Sequence, residues 1–161
     1  MNLDALMKTW RGPLTGFLAA SGVGLGEAQD LVHDVFAEAY LGRERFRGAW
    51  TDGAAVGAFL RGIARNLLRS RRRAARRAPG SLTEEPSAGS PAAPHDDVLV
   101  AIATLEPAHR EVIWMFYFQE TSTREVAHLL GISERAVEGR LYKARAALRP
   151  RLAPGREEVT G

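Results

Sequence analysis

The sequence predicts an all-α protein of two small helical domains joined by a flexible linker, and three observations predict it. Apolar residues recur at intervals of three and four wherever a pattern exists, and no segment shows the period-two alternation of a half-buried strand. The stretch "APGSLTEEPSAGSPAAPHDD", residues 78–97, is rich in Pro, Gly, Ser and Ala and lacks periodic large apolar residues, so it divides the helical pattern. Charge divides the chain at the same place: residues 61–78 hold eight arginines and no acid, and residues 79–108 hold five acids and no base. The boundaries read from this are a first domain at 1–78, a linker at 79–97, a second domain at 98–149 and a tail at 150–161. At 161 residues with 45% hydrophobic content, the chain has enough apolar side chains for packed cores.

The first domain opens with Leu3, Leu6, Met7, Trp10, Leu14, Phe17 and Leu18 at helical spacing, which predicts an amphipathic helix with a candidate kink at Pro13. Asp4, Pro13 and Gly16 are wrong for a secretory leader. In "GEAQDLVHDVFAEAY", Leu31, Val32, Val35, Phe36, Ala39 and Tyr40 fall on one face, and Glu27, Asp30, Asp34 and Glu38 on another. From spacing alone that acidic stripe is either a solvated surface or a binding face for a basic partner. "FRGAWTDGAAVGAF" then places Trp50 in a glycine-rich loop, where it either caps the local core or stacks on an unpaired base. "IARNLLRSRRRAARR" follows as a helix with Leu60, Ile63, Ala64 and Leu67 facing inward, and with Arg61, Arg65, Arg69, Arg72 and Arg76 along another face. Guanidinium groups in a row with no carboxylate at i±4 repel one another unless a polyanion neutralises them, and their planar fork fits phosphate oxygens. The plainer reading is a soluble, basic helix end.

In the second domain, Asp96 or Asp97 is placed to cap a helix carrying Val98, Leu99, Ile102 and Leu105, and Pro107 suits the first turn of the next, which runs toward Gln119. "TSTREVAHLLGISERAVEGRLYKARAAL" has capping-box spacing at Ser122 and Glu125, a turn at Gly131 and a second cap at Ser133. Two helices joined by so short a turn form a helix-turn-helix. Val137, Leu141, Ala144 and Leu148 share the inner face of its second helix. Arg135, Gly139, Tyr142 and Lys143 project oppositely, flanked by Glu138, Arg140 and Arg145, and are the residues placed to enter a major groove.

Other classes of function find little support. With no cysteine there is no disulfide, zinc ribbon or thiol catalysis. His33, His95, His109 and His128 are scattered, with no metal-ligand spacing, phosphate-cradling glycine motif or nucleophile elbow, so neither an enzyme nor a cofactor is expected; His128 reads as a surface residue. The longest apolar run, "VIWMFYF", falls far short of the ~20 residues that cross a bilayer, so no membrane insertion is expected.

"GEAQDLVHDVFAEAY", "GAFLRGIARNLLRSRRR" and "LEPAHREVIWMFYFQETSTREVAHLLGISERAVEGRLYKARAALR", in this order around a linker, resemble the extracytoplasmic-function (ECF) group of the bacterial sigma-70 family of transcription initiation factors. The resemblance covers nearly the whole chain, from about Leu3 to Leu148. It implies that the first domain binds the β′ clamp helices of core RNA polymerase and opens the −10 promoter element, and that the second binds the −35 element and the β flap. It places Asp30, Leu31, His33, Asp34 and Phe36 in the polymerase-binding helix. It places Trp50, Arg61, Arg65, Asn66, Arg69, Arg72 and Arg73 toward the −10 element, with the loop around Gly48 to Gly57 at the family's pocket for a flipped-out base. Ser133, Arg135, Glu138, Gly139, Arg140, Tyr142 and Lys143 fall toward the −35 element. His33 stands where Gln is usual and Phe59 where Trp is common. Glu138 and Gly139 replace a commonly basic and a small polar residue, so the −35 sequence does not transfer from relatives. The resemblance also implies a cognate anti-sigma factor and a cytoplasmic location.

The expected function is therefore promoter selection without catalysis, in which phosphate contacts supply affinity, base contacts supply sequence information, and the linker lets two weak modules act together. The alternative is a helix-turn-helix regulator acting without core polymerase. That alternative leaves the acidic helix, the Trp loop and the arginine row without roles, and lacks a dimerisation element.

Overall fold

The computed structural model describes residues 1–77 and 96–152, and every regular element among them is helical. Apart from Asp96 and Asp97, the residues read as linker lie outside the described residues, as do residues 153–161. Helix α1 (Leu3–Ala20) starts where Asn2 accepts a hydrogen bond from the Ala5 N–H, 3.1 Å, and runs unbroken through Pro13, which is buried. After four residues the chain returns as α2 (Leu25–Leu41), which turns Leu31, Val32, Val35 and Phe36 onto α1.

A 3₁₀ turn at Arg43–Arg45 leads toward α3 (Gly53–Arg77). The glycine-rich stretch is thus loop only as far as Asp52. The Asp52 carboxylate accepts from the N–H groups of Ala54 and Ala55, at 3.0 and 3.2 Å, and starts the helix seven residues before Leu60. The buried seam of α3 is also turned from the expected one: Val56, Leu60, Ala64 and Leu68 are buried, whereas Ile63 and Leu67 are half-buried. The cause is that α3 packs on two neighbours, α2 on one side and α6 of the second domain on the other.

In the second domain, α4 (Asp96–Ala103) begins two residues before the expected boundary, and α5 (Pro107–Ile113) has its proline in the first turn. The helix expected to reach Gln119 instead widens into a π-helical turn at Trp114–Phe118, closed where the Thr121 N–H donates to the Met115 carbonyl, 3.1 Å. A widened turn of this kind displaces the backbone sideways, and Met115 lies against α1. The helix-turn-helix forms as its caps predict. Ser122 and Glu125 make a complete capping box on α6 (Thr123–Leu130), Gly131 adopts φ 69°, and Ser133 Oγ accepts from the Ala136 N–H at the start of α7 (Glu134–Leu152). α7 runs three residues beyond Arg149, into the segment read as tail.

The two helical domains also pack against each other, and their buried residues form one continuous core, from Leu6 of α1 to Leu148 of α7. Their largest contact is α3 against α6, with α1 against the π-helical turn next. Polar bonds cross it too. Arg61 donates to the Leu129 carbonyl, and Arg110 to the Ala20 carbonyl, each at 2.9 Å.

Candidate nucleic-acid interface

The acidic stripe is a real surface. Asp30, Asp34 and Glu38 are exposed together on α2, with His33 exposed beside them. Leu31 and Phe36 do not belong to it, being 2% and 3% exposed; they anchor α2 in the core and so fix the stripe's orientation. Glu27, at the stripe's start, pairs with Arg71 of α3 at 3.0 Å across the solvent-facing edge of the two helices.

Along α3, Arg65, Asn66, Arg69, Arg72 and Arg73 are exposed, as the periodicity required, and Arg72 donates to the Ser21 carbonyl at 3.3 Å. The first residue of the row differs. Arg61 is half-buried between α3 and α6, and burial, followed by the charge of Arg65, lowers its guanidinium pKa, with Glu111 opposing. Sequence reasoning missed Glu111, whose carboxyl is raised above the usual range by burial, against the opposing pull of Arg140, Arg65, Arg110 and Arg61. Those arginines come from α3, α5 and α7, so one carboxylate lies among basic groups of both domains. No local pattern signals it, because the neighbours on α3 are far away in sequence.

Trp50 is half-buried in an aromatic cluster whose ring centroids lie 4.4 Å from Phe46 and 5.9 Å from Phe59, with Phe46 and Phe59 4.9 Å apart. It packs against the core and is only partly buried there. Phe59 also lines a groove of about 500 Å³ with Arg45, Ile63 and Asn66, a space with an aromatic wall and hydrogen-bonding groups at its edge. Ser133, just before α7, and Arg135, Glu138, Gly139, Tyr142 and Lys143 on it are all exposed, Tyr142 at 74%, while Val137, Leu141, Ala144 and Leu148 are buried. Arg140 is half-buried, and its charge acts to lower the Glu111 carboxyl pKa. Arg145 is occupied by the Tyr117 hydroxyl, to which its Nε donates. His128, read as a surface residue, lies instead between the domains against Gly53 and Gly57 of α3.

Two family models match: sigma-70 region 2 over residues 6–78 and sigma-70 region 4 over residues 95–148, together most of the chain. The chain belongs to the sigma-70 family. With region 2 and region 4 matched on either side of a linker region, this sigma factor has the ECF-type architecture. Solved structures agree in fold. CnrH, in complex with the cytosolic domain of CnrY, is 24% identical with a TM-score of 0.54, covering 92% of this chain and 85% of that one. The sigma factor RpoE from Bartonella quintana, in complex with the anti-sigma factor NepR, is 21% identical with a TM-score of 0.59, covering 95% of this chain and 98% of that one. Comparison with curated proteins returns no match. Among the described residues of the sigma factor, no helix is long and apolar enough to cross a membrane.

Proposed function

We propose that this ECF-type sigma factor recruits core RNA polymerase through the acidic face of α2 and directs it to promoters through α3 and α7, with no catalytic activity of its own. The observation that carries the reading is the coexistence, on one chain, of an exposed acidic helix and two exposed basic helix faces, one of them in a capped helix-turn-helix. A regulator acting without polymerase needs only the last. Asp30, His33 and Asp34 form the contact with the β′ clamp helices, held by the buried Leu31 and Phe36. Arg65, Arg69, Arg72 and Arg73 hold phosphates beside the −10 element, where Asn66 and Trp50 flank the unstacked base. Ser133, Arg135, Glu138, Gly139, Tyr142 and Lys143 face the −35 element, and the β flap meets the second domain. RpoE is a sigma factor in complex with an anti-sigma factor, which supports such a partner here, and CnrH is in complex with a cytosolic domain, which supports a cytoplasmic site of action. Run-off transcription with purified core polymerase tests the reading. Initiation from a limited promoter set is expected; tight, specific duplex binding by the free chain without initiation would establish the regulator instead.

A further inference from the structure

We propose that the cavity between the start of α1, the Trp50 loop and α6 is a binding site for a small, planar nitrogen heterocycle without phosphate, of the kind a free nucleoside presents. The cavity measures about 410 Å³, within the ~300 to 1,000 Å³ that small-molecule sites occupy. Both domains build it: Thr9 and Trp10 come from α1, Trp50 and Thr51 from the loop before α3, and Glu125 and His128 from α6. It is distinct from the groove of Arg45, Phe59 and Asn66, with which it shares no lining residue. The inference goes beyond the promoter reading and does not depend on it.

Three of these side chains hold recognition chemistry that the fold itself leaves unused. Trp10 is only 5% exposed, yet no acceptor among the described residues takes its indole N–H. An indole N–H held in so buried a ring ordinarily finds a partner. Because no fully inaccessible side-chain nitrogen among the described residues lacks one, this N–H keeps an opening, and Trp10 lines the cavity. Glu125 offers the complementary acceptor. Its Oε2 is taken by the Ser122 N–H and hydroxyl, both at 3.0 Å, which fixes the carboxylate in the capping box, and no donor among the described residues reaches Oε1. Trp50 supplies a stacking surface: its half-buried ring packs on Phe46 and Phe59 and also lines the cavity. Such a ring stacks on any flat π-system. A donor, a pre-set acceptor and a stacking ring fit a ligand edge that carries a lone pair beside an N–H, as purine bases do. Charge narrows the class. The chain has 22 lysines and arginines, and none lines the cavity, so it offers phosphate no ammonium or guanidinium side chain and sets the Glu125 carboxylate against one. A base still attached to its strand would bring that phosphate with it, whereas a free nucleoside does not.

Titration of the full chain with adenosine, guanosine and their 5′-monophosphates tests the site. The readout is the nitrogen–proton correlation spectrum, in which the three tryptophans give separate indole N–H signals, assigned through single Trp→Phe variants. With at least one of the two nucleosides, the Trp10 and Trp50 signals should shift saturably and with one-to-one stoichiometry, while that of Trp114, which does not line the cavity, stays in place. The 5′-monophosphate of the same nucleoside should bind about tenfold more weakly or worse, since it meets a carboxylate and no basic side chain. Glu125→Gln keeps the capping box, in which glutamine also serves, and removes the charge that the ligand's N–H meets. It should lower nucleoside affinity by about tenfold and leave the helical content of the free chain unchanged. Trp50→Leu, checked for the same helical content, should lower affinity by roughly 5- to 100-fold, and Trp50→Phe by less, because a stacking ring remains. Saturating nucleoside should also raise the melting temperature of the wild type more than that of Glu125→Gln at the same concentration. Nucleosides that move neither the Trp10 nor the Trp50 signal at millimolar concentration overturn the proposal. A monophosphate that binds as tightly as its nucleoside, or binding that Glu125→Gln leaves untouched, overturns it as well. A single-stranded −10 oligonucleotide that moves the Trp10 signal where free nucleosides do not would assign the cavity to promoter DNA instead.

Discussion

Glu111 shows what a residue can do that its neighbours in sequence do not announce. It is half-buried on α5, and desolvation raises its carboxyl pKa in spite of Arg61, Arg65, Arg110 and Arg140 around it. The sign follows from linkage: a carboxyl whose folded-state pKa lies above its unfolded value contributes stability that is fully present below the unfolded pKa. That stability is lost as pH rises through the folded one. At neutral pH the ionised Glu111 therefore weighs against the folded, docked state. Glu111→Gln, which keeps the shape and removes the charge, should raise the melting temperature at pH 7, and the gain should shrink as pH falls toward the ordinary glutamate range near ~4.3. A variant that melts below the wild type at pH 7 would show that the four arginines outweigh the burial. Residues whose roles are local were legible from the sequence, as with Ser122, Gly131 and Ser133, because caps and turns are settled within a few residues. The Arg61 bond to Leu129 spans 68 residues and was not.

At the scale of the element, a helix with one buried face reads cleanly and a helix with two does not. α7 buries Val137, Leu141, Ala144 and Leu148, the four residues its period predicts, because only its own domain covers it. α3 lies against α2 and α6, so its seam turns to Val56, Leu60, Ala64 and Leu68, and Arg61 becomes part of the interface between domains. The rest of the arginine row stays exposed, and the phosphate track proposed for it has a definite salt signature. Replacing Arg65, Arg69 and Arg72 together by Ala should leave the domain folded, since all three lie off the seam. It should reduce the slope of log K for promoter binding against log salt by about 0.7 to 0.9 for each phosphate no longer neutralised. Binding by the polymerase holoenzyme across a salt series measures this; an unchanged slope would mean that the arginines only keep α3 soluble.

For the whole molecule, the Pro- and Gly-rich segment falls between the two matched regions, residues 6–78 and 95–148, and says nothing about whether they touch. The second domain comes within 3.0 Å of a would-be Cβ at Gly16, Gly53 and Gly57, which in a one-dimensional reading look like interruptions of helices; the reason for them shows only when the opposing residues are in place. A shared core has a thermodynamic consequence that two tethered bodies lack. At ~0.7 kcal/mol per residue near 60 °C, the described 77 and 57 residues unfolding as one unit give a van't Hoff enthalpy of about 90 kcal/mol, against roughly 40 to 55 kcal/mol for each domain melting alone. Differential scanning calorimetry of the free protein should therefore show a single transition whose van't Hoff and calorimetric enthalpies agree. In Gly16→Ala the van't Hoff value should fall toward the single-domain range while the total heat changes little, because each domain keeps its own helices and only the packing that coupled them is disrupted. Two transitions in the wild type, each with half the enthalpy, would show that the shared core is too weak to make the domains unfold together.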